Sequence, residues 1–286
     1  MEEKKCKEGC SRSSCDSCSK AMENVDGENC NSNVRNGSSK KNDKSNIGKV
    51  IAVMSGKGGV GKSFVTSSIA VALSRKGYKV GILDSDVTGP SIPKMFGMHE
   101  LVTSDGEALA PIVSSSGIKV ISVNLLLPDQ EEPVIWRGPV ISSVVRQFFD
   151  DVYWGDLDYL LIDMPPGTGD VPLTVFQSLP VDGAIVVTSP QELVQLIVKK
   201  AYHMAEKMNV SVFGVIENFS YLECPDCGKK IEIFGKSSID ETAKELGLKV
   251  LGKLPVVPQY AQLADEGRFD EINVEYLQDA VESLIK

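Results

Sequence analysis

The stretch KVIAVMSGKGGVGKSFVTSSIA, residues 49–70, decides the fold of this 286-residue chain. A short apolar run at 49–54 is followed by a glycine-rich segment and then by residues with helical spacing. The segment Gly56–Ser63 satisfies the pattern G-x-x-x-x-G-K-S/T, and a strand before it and a helix after it are the context that this pattern requires. The stretch therefore predicts a phosphate-binding loop, whereas a plain glycine turn would not need the lysine and the serine.

Each residue type in this loop has its own predicted role. The glycines let the backbone wrap closely and point its N–H groups at phosphate oxygens, and the helix that begins near Gly61 adds its positive end. Lys62 is expected to reach the β- and γ-phosphates, and Ser63 to ligate Mg²⁺. The predicted nucleotide-binding residues of the loop are Gly56, Lys57, Gly58, Gly59, Val60, Gly61, Lys62 and Ser63.

Two further apolar runs, both predicted strands, end in carboxylates. A magnesium–phosphate site needs carboxylates there, because the ligand lies outside the carboxyl edge of the sheet. YLLIDMPPGTGD places Asp163 at a strand end as a Walker-B-type carboxylate that lies near Mg²⁺ through water. GILDSDVTGPSIP ends in Asp84 and Asp86, of which one can face the metal while the other, Asp86, positions the attacking water. Gly167 and Gly169 predict a mobile loop that senses the γ-phosphate. Lys57, Lys62, Asp86 and Asp163 are the predicted catalytic residues.

The rest of the chain after residue 46 alternates β-branched runs with amphipathic segments. This alternation predicts an α/β domain, a mostly parallel sheet with helices on both faces, over residues 47–286. Strands are predicted from residue 47 and at 79–84, 119–123, 159–163, 183–188, 212–216 and 249–251, and helices at 62–76, 140–152, 191–208, 237–246 and 273–285.

Residues 1–46 differ in composition from the rest. They are rich in Ser, Asn and charged residues, and the span that holds Cys6, Cys10, Cys15, Cys18 and Cys30 has no Leu, Ile, Phe, Tyr or Trp. Such a segment cannot offset the entropy of ordering, so we expect a disordered cysteine-rich tail unless a metal folds it. A thiol arm of no defined stoichiometry is the plainer interpretation.

Charge and hydropathy exclude several classes of function. The formal net charge is −9, and residues 47–286 carry 21 basic against 31 acidic side chains, which disfavours a nucleic-acid partner. No apolar run approaches the ~18 to 20 residues of a membrane span, so no membrane partner is expected. The start MEEKKCKEGC lacks the apolar core of an export signal, and clustered cysteines then favour a reducing cytoplasm and metal or redox chemistry.

Cys224 and Cys227 form a C-x2-C pair in which Pro225 fixes the backbone and Gly228 lets the turn close. Two such pairs provide four soft ligands. A tetrahedral set of four thiolates suits an iron–sulfur cluster and equally suits Zn²⁺. A redox dithiol would prefer a helix start, whereas here Lys-Lys and an apolar run follow, as in a small hairpin.

These motifs together resemble a known family. Lys57, directly after the first glycine, resembles the deviant Walker A box of the SIMIBI ATPases, which include septum-site MinD, arsenite ATPase and the nitrogenase iron protein. The match narrows through DSDVTGPSIPKMFG, WRGPV at 136–140, DYLLIDMPPGTGD and IENFSYLECPDCG at 216–228. Over nearly all of residues 47–286 the chain resembles the Mrp/ApbC group of iron–sulfur cluster carrier ATPases.

The resemblance implies a homodimer that holds a labile 4Fe-4S cluster between the C-x2-C pairs of two subunits and passes it to apo iron–sulfur proteins. ATP binding and slow hydrolysis would control the transfer. Cys224 and Cys227 would be the bridging ligands, Asn218 would contact adenine, and Lys57 would reach the partner subunit's phosphates. The tail cysteines resemble the extra ferredoxin-like site of longer members.

Two positions and one spacing depart from the family pattern. Phe64 stands where relatives usually have a Thr that contacts the α-phosphate, Val257 stands where Asp is frequent, and the tail cysteine spacing is unusual. Other functions remain open at this stage: a zinc-bridged dimeric ATPase without cluster transfer, a MinD-like positioning ATPase, and an electron-transfer reductase. The MinD-like alternative needs a basic amphipathic C-terminal helix, whereas VEYLQDAVESLI is acidic.

Overall fold

The computed structural model describes residues 45–86, 89, 91–126, 138–190 and 194–285. Residues 1–44 of the predicted cysteine-rich tail lie outside the described part, as does Trp136 of the WRGPV motif. The last two residues of that predicted tail are ordered, because Ser45 Oγ donates to the Val152 carbonyl and Asn46 begins a strand.

Eleven strands and eight α-helices lie in the described part of the chain. The strands are β1 (Asn46–Ser55), β2 (Val80–Asp84), β3 (Thr103–Ser104), β4 (Leu109–Ala110), β5 (Ile112–Val113), β6 (Lys119–Ser122), β7 (Asp156–Asp163), β8 (Gly183–Thr188), β9 (Val212–Glu223), β10 (Lys230–Ile231) and β11 (Val250–Pro255). The helices are α1 (Lys62–Arg75), α2 (Ile92–Met95), α3 (Gly138–Asp150), α4 (Asp170–Ser178), α5 (Val194–Lys207), α6 (Ile239–Glu245), α7 (Pro258–Asp265) and α8 (Gln278–Ile285).

Nine strands form one sheet in the order β10-β9-β8-β1-β7-β2-β6-β5, with β11 also paired to β9. Every pairing in it is parallel except those of β10 with β9 and of β5 with β6. β3 and β4 form a separate antiparallel ribbon. The predicted fold class, a mostly parallel sheet with helices on both faces, is confirmed.

Side-chain alternation along β1 shows why helices cover both faces. Val50, Ala52 and Met54 pack into a core with side chains of α3, α4, α5 and α6, whereas Ile51 and Val53 pack into a second core with α1, α2 and α8. All five residues are at most 4% exposed. A strand with both faces buried has no polar alternation, which is why KVIAVM is continuously apolar.

Three predicted strands are longer than expected, and the one predicted at 159–163 begins at Asp156. Three helices were not predicted, namely α2, which has only four residues, α4 and α7. The strand predicted at 212–216 continues to Glu223, and the one predicted at 249–251 continues to Pro255. α4 contains a proline in its first turn, and α7 buries no residue completely, so neither shows a strong helical pattern. The short hairpin expected after Cys227 is present, because β10 pairs antiparallel with the end of β9.

The topology brings the predicted motifs to one edge of the sheet. β1 lies between β7 and β8 and leads into the glycine-rich loop, and the carboxyl ends of β2 and β7 lie side by side, with Asp84 opposite Asp163. The described residues contain no helix that is both long enough and apolar enough to cross a membrane.

Candidate nucleotide site and cysteine pair

The glycine-rich loop has the backbone shape of an anion cradle. Gly61 caps α1 with φ +78°, and a Cβ there would lie 2.1 Å from Asn218 Nδ2. A Cβ on Gly56 would lie 2.1 Å from Ile197 Cγ2 and 2.8 Å from its carbonyl oxygen, so α5 packs closely on the loop. Because the residue that caps α1 has no side chain, the first N–H groups of this helix remain available to a phosphate.

Asp163 is the centre of the site's charge network. Its carboxylate is fully buried, lies 2.7 Å from Lys62 Nζ, and accepts hydrogen bonds from Ser63 Oγ at 2.6 Å and Thr66 Oγ1 at 2.7 Å. The backbone carbonyl of Asp163 accepts from both the N–H and the hydroxyl of Ser85. The strand end of β7 is thereby fixed to the first turn of α1 and to the end of β2.

Asp84 lies beside this network and is 1% exposed. Its carboxylate accepts hydrogen bonds from Ser122 Oγ at 3.1 Å and from the backbone N–H of Asp86 at 3.1 Å. Burial, and next the negative charge of Asp163, raise the pKa of Asp84 well above its usual value, against the opposing effect of Lys62. An ionised Asp84 is therefore unfavourable unless a cation compensates its charge.

We expect Asp84→Asn to stabilise the nucleotide-free protein by about 1 kcal/mol, because the amide removes a buried charge that its surroundings disfavour. The asparagine can still accept from the Asp86 N–H and donate to Ser122, so both hydrogen bonds persist. The midpoint of thermal unfolding at pH 7 should rise by about 2–4 °C. A lower midpoint would contradict the unfavourable charge, and Ser122→Ala serves as the control that removes a hydrogen bond only.

Asn218 lies on β9 and contacts the loop directly. Its Nδ2 donates a hydrogen bond to the Val60 carbonyl at 3.0 Å, and the residue is 1% exposed. Its Oδ1 is buried and has no hydrogen-bond partner among the described residues. A buried acceptor without a hydrogen-bond donor is unfavourable. A donor group on a bound ligand would provide the missing hydrogen bond to Oδ1.

A cavity of about 350 Å³ opens between the glycine-rich loop and the helices α2 and α7. Its polar lining includes Lys62, Ser63 and Asp86, the last with a side chain that is 14% exposed and 3.8 Å from Lys62 Nζ. The residues that line the cavity are Ser55, Gly58, Gly59, Val60, Gly61, Lys62, Ser63, Phe64, Asp86, Ser91, Met95, Pro166 and Ala264. The backbone cradle, the hydroxyl and carboxylate oxygens and the unpaired Asn218 acceptor fit a nucleotide with Mg²⁺.

The cysteine pair follows the carboxyl end of β9, in the turn between β9 and β10. The Cys224 N–H donates to the Lys229 carbonyl at 3.0 Å, and the Gly228 N–H donates to the Cys224 carbonyl at 2.9 Å. Both thiols are free, and Cys227 is exposed. The backbone N–H groups of Asp226 and Cys227 donate to the Cys224 sulfur and lower its pKa, which favours the thiolate that ligates metals.

The structure brings most of the predicted nucleotide residues together. Lys62, Ser63, Asp84, Asp86 and Asp163 form one connected cluster, and Asn218 contacts the loop from β9. Lys57 is half-buried in the loop. Cys224 and Cys227 are not part of this cluster, and no three His, Cys, Asp or Glu side chains of the described residues converge on one metal position.

Two residues of this region were missed by sequence reasoning. Thr66 lies one helical turn after Ser63 and donates a hydrogen bond to the buried Asp163. Its spacing of three residues from Ser63 could have indicated that the two hydroxyls share a helix face. Glu217 is fully buried on β9 and accepts from the hydroxyls of Ser220 and Ser237. A carboxylate inside an apolar strand was the available signal. Phe219, between Asn218 and Ser220, has φ +60°, an uncommon conformation for a bulky residue.

The chain is similar to characterised families over almost all of the described part. Residues 46–285 match the model of the ParA family described as "NUBPL iron-transfer P-loop NTPase". An iron-sulfur cluster carrier protein of Clostridium perfringens is 50% identical over 234 residues, which cover 79% of this chain and 82% of that protein. A protein of the same name from Methanocaldococcus jannaschii is 51% identical over 225 residues, 78% of each chain.

Solved structures agree on the fold. A nucleotide-binding protein of Archaeoglobus fulgidus, solved with ADP and cobalt, is 44% identical with a TM-score of 0.74, and the match covers 81% of this chain and 91% of that one. The cell-division ATPase MinD of Pyrococcus furiosus has a TM-score of 0.59 at 20% identity, covering 83% of this chain and 98% of its own. At that identity the MinD likeness concerns the fold alone.

Proposed function

Because this chain belongs to the family of iron-transfer P-loop NTPases, we propose that it is an ATPase that binds a 4Fe-4S cluster and passes it to apo-proteins. The observation that carries the proposal is the course of β9, which has Asn218 against the phosphate loop and ends one residue before Cys224. β9 is irregular between these two points, because Phe219 has φ +60° and its register with β11 shifts between Glu217 and Tyr221. The same strand nevertheless joins the residue that contacts the loop to the turn that carries the thiols.

The nucleotide half of the function uses charge neutralisation and positioning. Loop N–H groups, from Gly56 to Ser63, bind the phosphates, and Lys62 exchanges its contact with Asp163 for one with the β- and γ-phosphates. Asp86, the most exposed of the three carboxylates, orients the attacking water. Asn218 Oδ1, which has no partner among the described residues, accepts a hydrogen bond from the exocyclic amine of adenine.

The site would hold Mg²⁺, which would supply positive charge against the charge that develops on the phosphates. Ser63, Asp163 and Asp84 would hold it, partly through water, since their hydroxyl and carboxylate oxygens are ligands that Mg²⁺ prefers. The raised pKa of Asp84 supports this assignment, because a nearby cation would favour its ionised form.

For the cluster half, each chain offers two thiolates, Cys224 and Cys227, and a cubane cluster takes four. A second copy of the chain provides the other two, so the carrier is a homodimer with the cluster between subunits. In the same dimer Lys57 of the partner subunit reaches the phosphates. We assign residues 47–286 to this ATPase domain, residues 1–46 to a cysteine-rich tail, and the protein to the cytoplasm, where free thiols persist.

Mixed dimers test whether Lys57 acts across the subunit boundary. The variants Lys57→Ala and Asp86→Asn, each by itself, should be inactive in ATP hydrolysis. Dimers of Lys57→Ala lack the lysine that would reach the partner subunit's phosphates, and dimers of Asp86→Asn lack the carboxylate that positions water. When equal amounts are mixed, about half the dimers are hybrid and one of the two sites in each is complete, so about a quarter of wild-type activity should return. If Lys57 acts within its own subunit, mixing restores nothing.

The carrier function is tested by anaerobic reconstitution with iron and sulfide, followed by transfer to an apo 4Fe-4S enzyme with and without ATP. We expect an iron–sulfur absorbance band, about four iron per dimer, and activation of the apo-enzyme that depends on nucleotide. Protein that retains zinc, takes up no iron and activates nothing would instead support the zinc-bridged ATPase. The acidic α8 does not favour a MinD-like membrane role, since a membrane-binding helix is basic.

A further inference from the structure

Phe64 forms an apolar wall of the nucleotide cavity. It follows Ser63 directly in the first turn of α1, and its half-buried side chain lines the same cavity as Lys62, Ser63 and Asp86. Among the residues described, Ala264 of α7 also lines this cavity. The cavity therefore combines a charged part that suits phosphates with an apolar part that phosphates would not use.

The ring of Phe64 is held in place from behind. It stacks on Tyr260 of α7, with centroids 6.0 Å apart and planes at 28°, and meets the fully buried Phe269 edge-on at 5.3 Å and 90°. Phe269 in turn contacts Phe96 edge-on at 5.7 Å. A ring fixed by such contacts loses little conformational entropy when a ligand packs on it.

The position of Phe64 along the loop indicates which part of a nucleotide it meets. In a phosphate loop the lysine reaches the β- and γ-phosphates, while loop N–H groups cradle the α- and β-phosphates. Lys62 and Ser63 contact Asp163, whereas the Phe64 ring packs against Tyr260 and Phe269. Phe64 therefore lines a part of the cavity away from the ion pair, where a sugar and base have room to lie. The phenylalanine side chain has no hydrogen-bond donor for a phosphate, but its ring can pack on a sugar or a base.

We propose that Phe64 is a nucleoside-binding residue, whose ring, backed by Tyr260 and Phe269, provides the surface on which the sugar and base of the bound nucleotide pack. The proposal rests on the proposed ATPase function and adds the source of nucleoside affinity in this chain. Binding then depends more on the nucleoside and less on contacts to the α-phosphate than in a site with a hydroxyl side chain at this position.

Binding of ADP and of inorganic tripolyphosphate, measured by calorimetry with Mg²⁺, tests the proposal in the full-length protein. For Phe64→Ala we expect the ADP dissociation constant to rise about tenfold or more, because stacking on an aromatic ring contributes about 1–3 kcal/mol per base. The affinity for tripolyphosphate, which has no nucleoside, should change less than about twofold. Tyr260→Phe keeps the stacked ring and serves as the control, with both affinities unchanged.

Equal losses for ADP and tripolyphosphate would show that Phe64 only shapes the loop, and an unchanged ADP affinity would show that the ring does not meet the nucleoside; either result overturns the proposal. Phe64→Leu, which preserves apolar volume, provides the same comparison if the alanine variant does not fold. A wild-type protein that binds neither compound would refute the proposed ATPase function itself, so the two failures are distinguishable.

Discussion

Replacing Lys62 by Met should abolish ATP hydrolysis and also lower the free energy of unfolding of the nucleotide-free protein by about 3 kcal/mol. Lys62 Nζ lies 2.7 Å from the carboxylate of Asp163, and the two side chains are 5% and 0% exposed. Without the lysine, Asp163 keeps hydrogen bonds from Ser63 and Thr66 but has lost its nearest cation. A buried charge without its counter-charge is costly, since water cannot solvate it.

The hydrolysis rate should fall by about 10³ or more, because the lysine contacts the phosphates between which charge moves. A double variant separates the two effects. Lys62→Met with Asp163→Asn removes the uncompensated charge, so most of the lost unfolding free energy should return in urea denaturation, while hydrolysis stays absent. If both variants unfold at the same urea concentration, the ion pair does not contribute to stability as we infer.

The phosphate half of the site was predictable because its residues are adjacent in sequence or terminate strands. Residues from Gly56 to Ser63 form one motif, and parallel strands bring their carboxyl ends to the same edge, so Asp84 and Asp163 had to lie close together. The connection of Lys62 to Asp163 in the described structure is a contact that no spacing rule provides. This contact depends on the direction in which α1 continues from the glycine-rich loop.

The part that sequence reasoning could not predict concerns buried polar groups with distant partners. The strand predicted at 212–216 corresponds to the start of β9, which continues through the polar residues Glu217 and Asn218. The strand continues because Ser220 and Ser237 satisfy Glu217 and the Val60 carbonyl satisfies Asn218 Nδ2. These partners lie up to 158 residues apart in sequence, so only the tertiary structure identifies them.

Substitution of both Cys224 and Cys227 by Ala should remove the bridging cluster while leaving the fold and nucleotide binding intact. The turn that carries them is held by backbone hydrogen bonds, from the Cys224 N–H to Lys229 and from the Gly228 N–H to Cys224, together with the pairing of Lys230 with Glu223. Neither thiol is buried. Because truncating exposed side chains leaves no cavity, the unfolding midpoint should change by less than about 2 °C.

The experiment uses the full chain with the five tail cysteines replaced by Ser, so that any cluster formed must use Cys224 and Cys227. After anaerobic reconstitution, this background protein should hold about four iron and four sulfide per dimer. The version that also lacks Cys224 and Cys227 should hold almost none. Both should bind ADP with dissociation constants within about twofold, because Cys224 and Cys227 are not part of the cluster of residues at the nucleotide site. Equal iron in the two proteins would exclude the pair as bridging ligands, and zinc in place of iron in the background protein would exclude a cluster there. Loss of iron together with loss of ADP affinity would indicate instead that the thiols support the fold of β9, contrary to the backbone hydrogen bonds that hold the turn.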